Sequence, residues 1–266
     1  MSAYEREVEV AIQAVESAGR LTLEHFGTAL EVETKADSSP VTVADRGAEK
    51  LIRKHLDEAF PDDGQLGEEF PEKPSRSGRR WIIDPIDGTQ SFIRGVPLYG
   101  VLLGLEEGDR CVVGAMAFPP LSETYWAGHG GPAYRNGSVI RVSDVTTLAA
   151  ATLCTTDTKP ELYGAHAAGL ERLVSRVGRQ RGWGDCYGYA LVASGRAEIM
   201  IDPLLNPWDI AAVLPILNGA GATFVGWNGD GTPYAGSGIA TTRQLEATVL
   251  EVLGVERRPP AARAKG

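Results

Sequence analysis

Residues 81–89 read Trp-Ile-Ile-Asp-Pro-Ile-Asp-Gly-Thr and form the most informative segment of the chain. The apolar run predicts a buried strand, and Pro85 removes an amide donor and fixes φ, so we expect the strand to end there in a rigid bend. Such a bend can aim the carboxylates of Asp84 and Asp87 and the carbonyl of Ile86 at one point. Hard oxygen ligands of this kind suit Mg²⁺ far better than zinc or copper. The segment therefore predicts a magnesium site, and the alternative is a turn with solvated acids.

Gly88 extends this prediction from a metal to a phosphate group. Without a Cβ atom it lets the backbone approach a ligand closely, and the amides of residues 88–90 can cradle a phosphate oxygen. The net charge of −9 opposes direct binding of an anionic ester. Clustered carboxylates resolve this conflict, because they bind a divalent cation that in turn binds the phosphate.

Two further acidic motifs flank this segment along the chain. Residues 67–70 read Gly-Glu-Glu-Phe, and we expect the glutamates at a strand end or in a loop. Residues 206–212 read Asn-Pro-Trp-Asp-Ile-Ala-Ala, in which Pro207 marks a helix start and Asp209 lies just inside it. Taken singly, the glutamate pair would be a solvated surface, and Asp209 would only complement the helix dipole.

Together the three motifs resemble those of the inositol monophosphatase family of Mg²⁺-dependent phosphatases. The family pattern is Gly-Glu-Glu, then Trp-Ile-Ile-Asp-Pro-Ile-Asp-Gly-Thr, then Trp-Asp, and all occur here in that order. The resemblance runs from about residue 5 to residue 250. It implies an α/β fold of layered α-β-α-β-α sandwich type, shared with fructose-1,6-bisphosphatase, and usually a homodimer. We expect one phosphatase domain over residues 1–256, with lobes of about 1–145 and 146–256, and a disordered tail at 257–266.

The resemblance also implies a role for each matched side chain. The expected ligands of two or three Mg²⁺ ions are Glu68, Asp84, the Ile86 carbonyl, Asp87 and Asp209. Thr89 matches the position that orients the attacking water, Asp45 supports it, and Glu69 is an outer ligand. Gly88 and Thr89 are expected to bind the phosphate, and the attack to be direct and in line. A short spacing between the first two motifs implies a trimmed loop at residues 71–79, which often shapes the third metal site.

A finer resemblance, to the histidinol-phosphatase branch of the family, lies before the last motif. Residues 184–186 read Gly-Asp-Cys, where members that act on inositol phosphates usually carry Gly-Ser or Gly-Thr followed by Ala. Histidinol phosphate carries an ammonium and an imidazole, so the carboxylate of Asp185 would favour it over a neutral polyol. Gly184, Asp185 and Asp202 are therefore expected at the alcohol portion of the substrate. The alternatives are that Asp185 only caps a helix and that Asp202 is a surface acid at a strand end.

These motifs predict an Mg²⁺-dependent phosphomonoesterase of histidine biosynthesis that hydrolyses L-histidinol phosphate. The alternative is a phosphatase that acts on inositol 1-phosphate or on another sugar or nucleotide phosphate. A non-enzymatic metal-binding protein that kept the fold is a third interpretation, which the presence of every expected ligand disfavours.

Composition limits the remaining classes. The chain has 266 residues, 43% of them hydrophobic and 23% charged, as in an ordinary globular protein. Its sequence pI of about 5.1 argues against nucleic-acid binding. The three cysteines have no metal-binding spacing and predict a reduced, cytoplasmic compartment. A charged N-terminus predicts no signal peptide, and no apolar run approaches the roughly 18 residues that a membrane span needs.

Hydrophobic periodicity predicts the order of the elements. The expected helices cover residues 4–26, 161–177 and 184–194. A further helix begins at a cap formed by Thr42 and Asp45 and extends to about residue 60, and the last begins at Pro207 and kinks at Pro215. The expected strands cover 81–84, 99–105, 111–118, 123–127 and 197–201, and a polar loop is expected at 35–40.

Overall fold

The computed structural model describes residues 4–28, 33–34 and 40–258. The helices are α1 Glu5–His25, α2 Val43–Ala59, α3 Thr89–Phe92, α4 Pro160–Tyr163, α5 Ala167–Arg176, α6 Asp185–Ala193, α7 Pro207–Ile210, α8 Val213–Ala220 and α9 Arg243–Leu253. The strands are β1 Glu33–Thr34, β2 Pro40–Val41, β3 Gly64–Gly67, β4 Arg79–Asp87, β5 Gly100–Glu107, β6 Arg110–Phe118, β7 Glu123–Gly128, β8 Ala133–Arg135, β9 Ser138–Ile140, β10 Thr152–Thr155, β11 Arg179–Arg181, β12 Ile199–Asp202, β13 Ala222–Val225 and β14 Gly238–Thr242. Residues 35–39 of the expected loop and residues 259–266 of the expected tail lie outside the described residues.

Two large sheets organise the described part of the chain. The first has seven strands in the order β3-β4-β5-β6-β7-β8-β9, with β3 parallel to β4 and the others antiparallel. The second has five strands in the order β11-β10-β12-β14-β13 and mixes parallel and antiparallel pairs. Both sheets are covered on both faces, so alternate residues of one strand enter different cores. On β5, Val101 and Leu103 pack toward α1 and α2, whereas Leu102 faces α6 and α8.

Three hydrophobic cores bind these sheets into five layers. The first core joins α1 and α2 to the seven-stranded sheet. The second fills the space between the two sheets, around α6 and α8. The third joins the five-stranded sheet to α5 and α9. This arrangement is the predicted α-β-α-β-α sandwich, which is therefore confirmed.

Most predicted elements lie within a residue or two of the observed ones. Helix α2 begins with the expected capping box, in which the Thr42 side chain accepts the Asp45 amide and the Asp45 side chain accepts the Thr42 amide. Arg257 and Arg258, in the segment expected as a tail, contact the body, since Arg257 pairs with Glu246 and the Arg258 amide donates to the Gly229 carbonyl at 2.9 Å. None of the helices in the described residues combines the length and apolar character that a membrane crossing requires.

The prediction that the central strand ends at Pro85 is wrong. Strand β4 continues to Asp87, and its register against β5 shifts between Asp84 and Asp87. Proline is tolerated inside a strand at a bulge, because the amide that it lacks is not needed there. A bulge, rather than a strand end, therefore separates Asp84 from Asp87.

Two helix predictions also need correction. The segment expected as one helix at 161–177 is divided by Gly164, which has a φ of +51° and separates α4 from the turn before α5. The helix that opens at Pro207 does not kink at Pro215; it breaks at residues 211–212, and Pro215 lies in the first turn of α8. A first-turn amide has no intrahelical partner, so proline fits there without distortion.

Two glycines allow the backbone between α7 and α8 to approach the seven-stranded sheet closely. Gly104 on β5 and Gly114 on β6 are register partners. A Cβ atom on Gly104 would come within 2.7 Å of the Ala211 carbonyl carbon, and one on Gly114 would overlap the Ala212 carbonyl. The backbone between α7 and α8 therefore rests directly on the sheet, which brings α7 to β4 and β5.

Candidate active site

The predicted acidic motifs meet at one end of the two sheets. Asp84 lies within β4, directly after its apolar residues, and is almost fully buried, and Asp87 is the last residue of that strand. Glu68 lies just after β3, which pairs with β4, and Asp209 lies in α7. Asp84 and Asp209 are close enough for each to affect the pKa of the other. The fold thus brings together acids from all three motifs.

Backbone amides hold three of these carboxylates in place. Asp84 Oδ1 accepts the Ile86 amide at 3.0 Å, and Asp87 Oδ2 accepts the Cys186 amide at 2.8 Å. Asp209 Oδ2 accepts the Asn206 amide at 2.6 Å, within the capping box of α7. Carboxylates that accept backbone amides keep their direction. The hydrogen bond from the Cys186 amide to Asp87 also joins two elements of the site, because Asp87 ends β4 and Cys186 belongs to α6.

Burial and mutual repulsion raise the pKa values of these acids. Burial, followed by the charges of Glu68 and Asp87, raises the pKa of Asp84 well above its usual range. Burial also raises the pKa of Asp209 to about 7, with the charge of Glu68 adding to the effect. Several carboxylates therefore share a space in which their ionisation is unfavourable unless a cation is present.

The donor set fits a hard divalent cation. It consists of carboxylate oxygens and the Ile86 carbonyl, which are Mg²⁺ ligands rather than zinc or copper ligands. Among the described residues, no group of three or more acidic, histidine or cysteine side chains is already assembled as a closed metal cage. The carboxylates of Asp84, Asp87 and Asp209 instead accept hydrogen bonds from backbone amides.

The loop after β4 turns sharply over the acids. Gly88 has a φ of +83°, and its carbonyl accepts the amides of Ser91 and Phe92 at 2.9 and 3.0 Å. The Thr89 hydroxyl donates to the Ile86 carbonyl at 3.1 Å. Asp45 Oδ2 accepts the Thr42 amide and hydroxyl at 2.8 and 2.6 Å. Thr89 and Asp45, expected to act together, therefore have separate hydrogen-bond partners here.

Asp185 lies directly over this loop. A Cβ atom built on Gly88 would be 3.2 Å from Asp185 Oδ2, and Asp185 is the charge that acts most strongly on Asp87. The N-cap position of α6 is occupied by Gly184 rather than by Asp185, which lies in the first turn. Its φ of +52° is a left-handed conformation that aspartate tolerates better than most residues. Burial raises its pKa to about 6.

Thr156 connects Asp185 to Asp202, and sequence reasoning missed it. Its hydroxyl accepts the Asp185 amide at 2.8 Å and donates to Asp202 Oδ2 at 3.0 Å. Asp202 is buried at the end of β12, beside β10, and Thr156 directly follows β10. No motif surrounds Thr156, and the signal that could have found it is the adjacency of the carboxyl ends of two parallel strands.

Comparison with known proteins identifies what this chain is similar to. The sequence profile of the inositol monophosphatase family matches residues 3–255. A histidinol-phosphatase of Chlorobaculum parvum is 47% identical, over 88% of this chain and 91% of that protein. An inositol-1-monophosphatase of Rhizobium meliloti is 34% identical, over 92% of this chain and 95% of that protein. Among solved structures, the extragenic suppressor protein suhB of Bartonella henselae aligns with a TM-score of 0.88 at 29% identity, and covers 94% of this chain and 98% of that one.

Proposed function

Because this chain belongs to the inositol monophosphatase family and is a phosphoric monoester hydrolase, we propose that it hydrolyses L-histidinol phosphate to L-histidinol and phosphate in histidine biosynthesis. The observation that carries this proposal is the position of Asp185, whose carboxylate lies beside Gly88 in the loop after β4, where we expect the phosphate to bind. A phosphate seated there leaves the cationic portion of histidinol within reach of that acid. The 47% identity to a histidinol-phosphatase supports the same substrate.

We assign Mg²⁺ as the cofactor of the clustered acids. Glu68, Asp84, the Ile86 carbonyl, Asp87 and Asp209 would hold two or three ions. When bound, Mg²⁺ neutralises phosphoryl charge and promotes ionisation of water. The chain supplies the carboxylates and keeps them aimed through the amides of Ile86, Cys186 and Asn206.

Groups from the loop after β4, from α2 and from the segment after β3 act on the water and the ester. The Thr89 hydroxyl donates a hydrogen bond to the Ile86 carbonyl, so its oxygen can accept a hydrogen bond from the attacking water. Asp45 is buried at the start of α2 and Glu69 lies near enough to raise its pKa, although burial is the larger cause. We assign the side chains of Thr89, Asp45 and Glu69 to orienting that water, and the backbone amides of Gly88 and Thr89 to binding phosphate.

On the other side of the ester, Gly184, Asp185 and Asp202 receive the alcohol. Asp185 pairs with the ammonium or imidazolium of histidinol, and Thr156 keeps Asp185 and Asp202 together. The second candidate substrate is inositol 1-phosphate or another sugar or nucleotide phosphate, which the 34% identity to an inositol-1-monophosphatase favours. We further propose a cytoplasmic homodimer, consistent with the free thiols of Cys111, Cys154 and Cys186.

A phosphate-release panel tests the proposal. Purified protein is assayed with L-histidinol phosphate, inositol 1-phosphate, a sugar phosphate and a nucleotide monophosphate, each with Mg²⁺ or with EDTA. We expect release from histidinol phosphate to be fastest and to require Mg²⁺. Faster release from inositol 1-phosphate would favour the second candidate, and equal release in EDTA would refute the magnesium site.

A further inference from the structure

A partly buried ion pair on α2 contacts the loop that carries the glutamate motif. Glu49 has no exposed surface, and its Oε1 accepts the Arg53 Nε at 2.7 Å, one helical turn away. We call Glu49 and Arg53 the α2 clamp. Neither residue belongs to the motifs that marked the active site in the sequence.

The α2 clamp contacts the motif loop on both sides of Glu68. Before it, a Cβ atom on Gly67 would overlap the Glu49 carboxylate, so only glycine leaves room for this approach. After it, Glu49 Oε2 accepts the Glu69 amide at 2.8 Å. Arg53 completes the contact by donating to the Phe70 carbonyl at 3.2 Å. The backbone of Glu68 is therefore fixed from both neighbours.

Stability alone does not account for such a pair. Removing two charges from water is unfavourable, and well-packed apolar residues often replace a buried ion pair without loss of stability. A carboxylate with two oxygens can, however, receive a guanidinium and a backbone amide at defined positions, which an apolar side chain cannot do. The same helix carries Asp45 one turn earlier, so α2 presents both a site acid and the support for a second one.

We propose that the α2 clamp positions Glu68 for Mg²⁺, so that Glu49 and Arg53 are positioning residues for metal binding. The inference rests on the proposed magnesium site. Residues that orient a metal ligand typically change metal affinity or activity by ten- to a hundredfold when they are altered. We therefore expect Glu49→Gln to weaken Mg²⁺ binding by about that factor, because glutamine keeps the size but loses the charge that holds Arg53.

Isothermal titration of EDTA-stripped, full-length protein with MgCl₂ measures this effect without turnover. The matched control is Glu58→Gln, which alters the exposed pair with Lys54 on the same helix at the same four-residue spacing. We expect the control to bind Mg²⁺ like the wild type. A double variant, Glu49→Gln with Arg53→Gln, removes both charges and should recover less than the full affinity, since the anchored geometry is lost.

The outcomes are distinct. If the wild type binds no Mg²⁺, the proposed function fails. If the wild type binds and Glu49→Gln binds within twofold of it, whatever the change in melting temperature, the clamp is only structural and this inference fails. Should Glu49→Gln not fold, Arg53→Lys provides the same test, because lysine keeps the charge but cannot reach both Glu49 and the Phe70 carbonyl; affinity within twofold of the wild type would again refute it.

Discussion

Substitution of Asp185 by asparagine offers the sharpest test of substrate choice. Asparagine removes the charge and, unlike serine, readily adopts the left-handed conformation that Asp185 has at φ +52°. A charge-assisted contact between Asp185 and the substrate cation is typically worth about 1.5–3 kcal/mol. At about 1.4 kcal/mol per factor of ten, its loss corresponds to roughly a ten- to hundredfold decrease in kcat/KM for histidinol phosphate.

The assay compares two substrates in the same protein. Phosphate release from histidinol phosphate and from inositol 1-phosphate is measured at pH 8, where Asp185, with its pKa of about 6, is ionised. We expect Asp185→Asn to lower the first kcat/KM and to spare the second. Asp109→Asn, which removes an exposed charge in the turn between β5 and β6, controls for net charge. If both substrates lose activity equally, or the ratio stays within twofold, Asp185 does not select the substrate.

Three further predictions concern the metal and the water. Asp84→Asn should lower turnover by several orders of magnitude, because it removes the charge of a buried carboxylate that we propose as a metal ligand; activity near the wild-type level would exclude Asp84 as a ligand. Thr89→Ala should lower kcat strongly with little change in KM, and a change confined to KM would instead assign Thr89 to binding. The metal-free protein should become less stable as pH rises from 5 to 8, since burial raises the pKa of Asp209 to about 7 and that of Asp185 to about 6. The folded state then holds protons that the unfolded chain has already released above about pH 4, and this stability is lost through those folded pKa values. Mg²⁺ should accordingly raise the melting temperature more at pH 8 than at pH 5; an equal increment at both would contradict the shifts.

Short-range patterns predicted many of the helices and strands, the family resemblance implied the layered sandwich, and neither predicted the contacts around the site. The continuous apolar runs of β5 and β6 and the capping box of α2 are local features, so they could be identified directly. The bulge at Pro85 was missed because proline usually ends a strand, and only pairing with β5 shows that it continues. Thr156 and the α2 clamp could not be predicted, because their partners are brought close by packing between segments that are distant in the chain. The left-handed conformation of Asp185 also depends on tertiary contacts, including the bond from its amide to Thr156.

The position of α7, whose following residues 211–212 rest on Gly104 and Gly114, has a consequence for biosynthesis. The acids of the site are supplied by segments that leave the ribosome far apart in time, with Glu68 and Asp84 early and Asp209 late. A nascent chain can complete the seven-stranded sheet before α7 exists, but it cannot complete the ligand set. Magnesium would then stabilise only the finished molecule, because an ion that binds the native state alone shifts the folding equilibrium toward it. A chain truncated before α7 should show no Mg²⁺-dependent stabilisation, even if its first sheet forms.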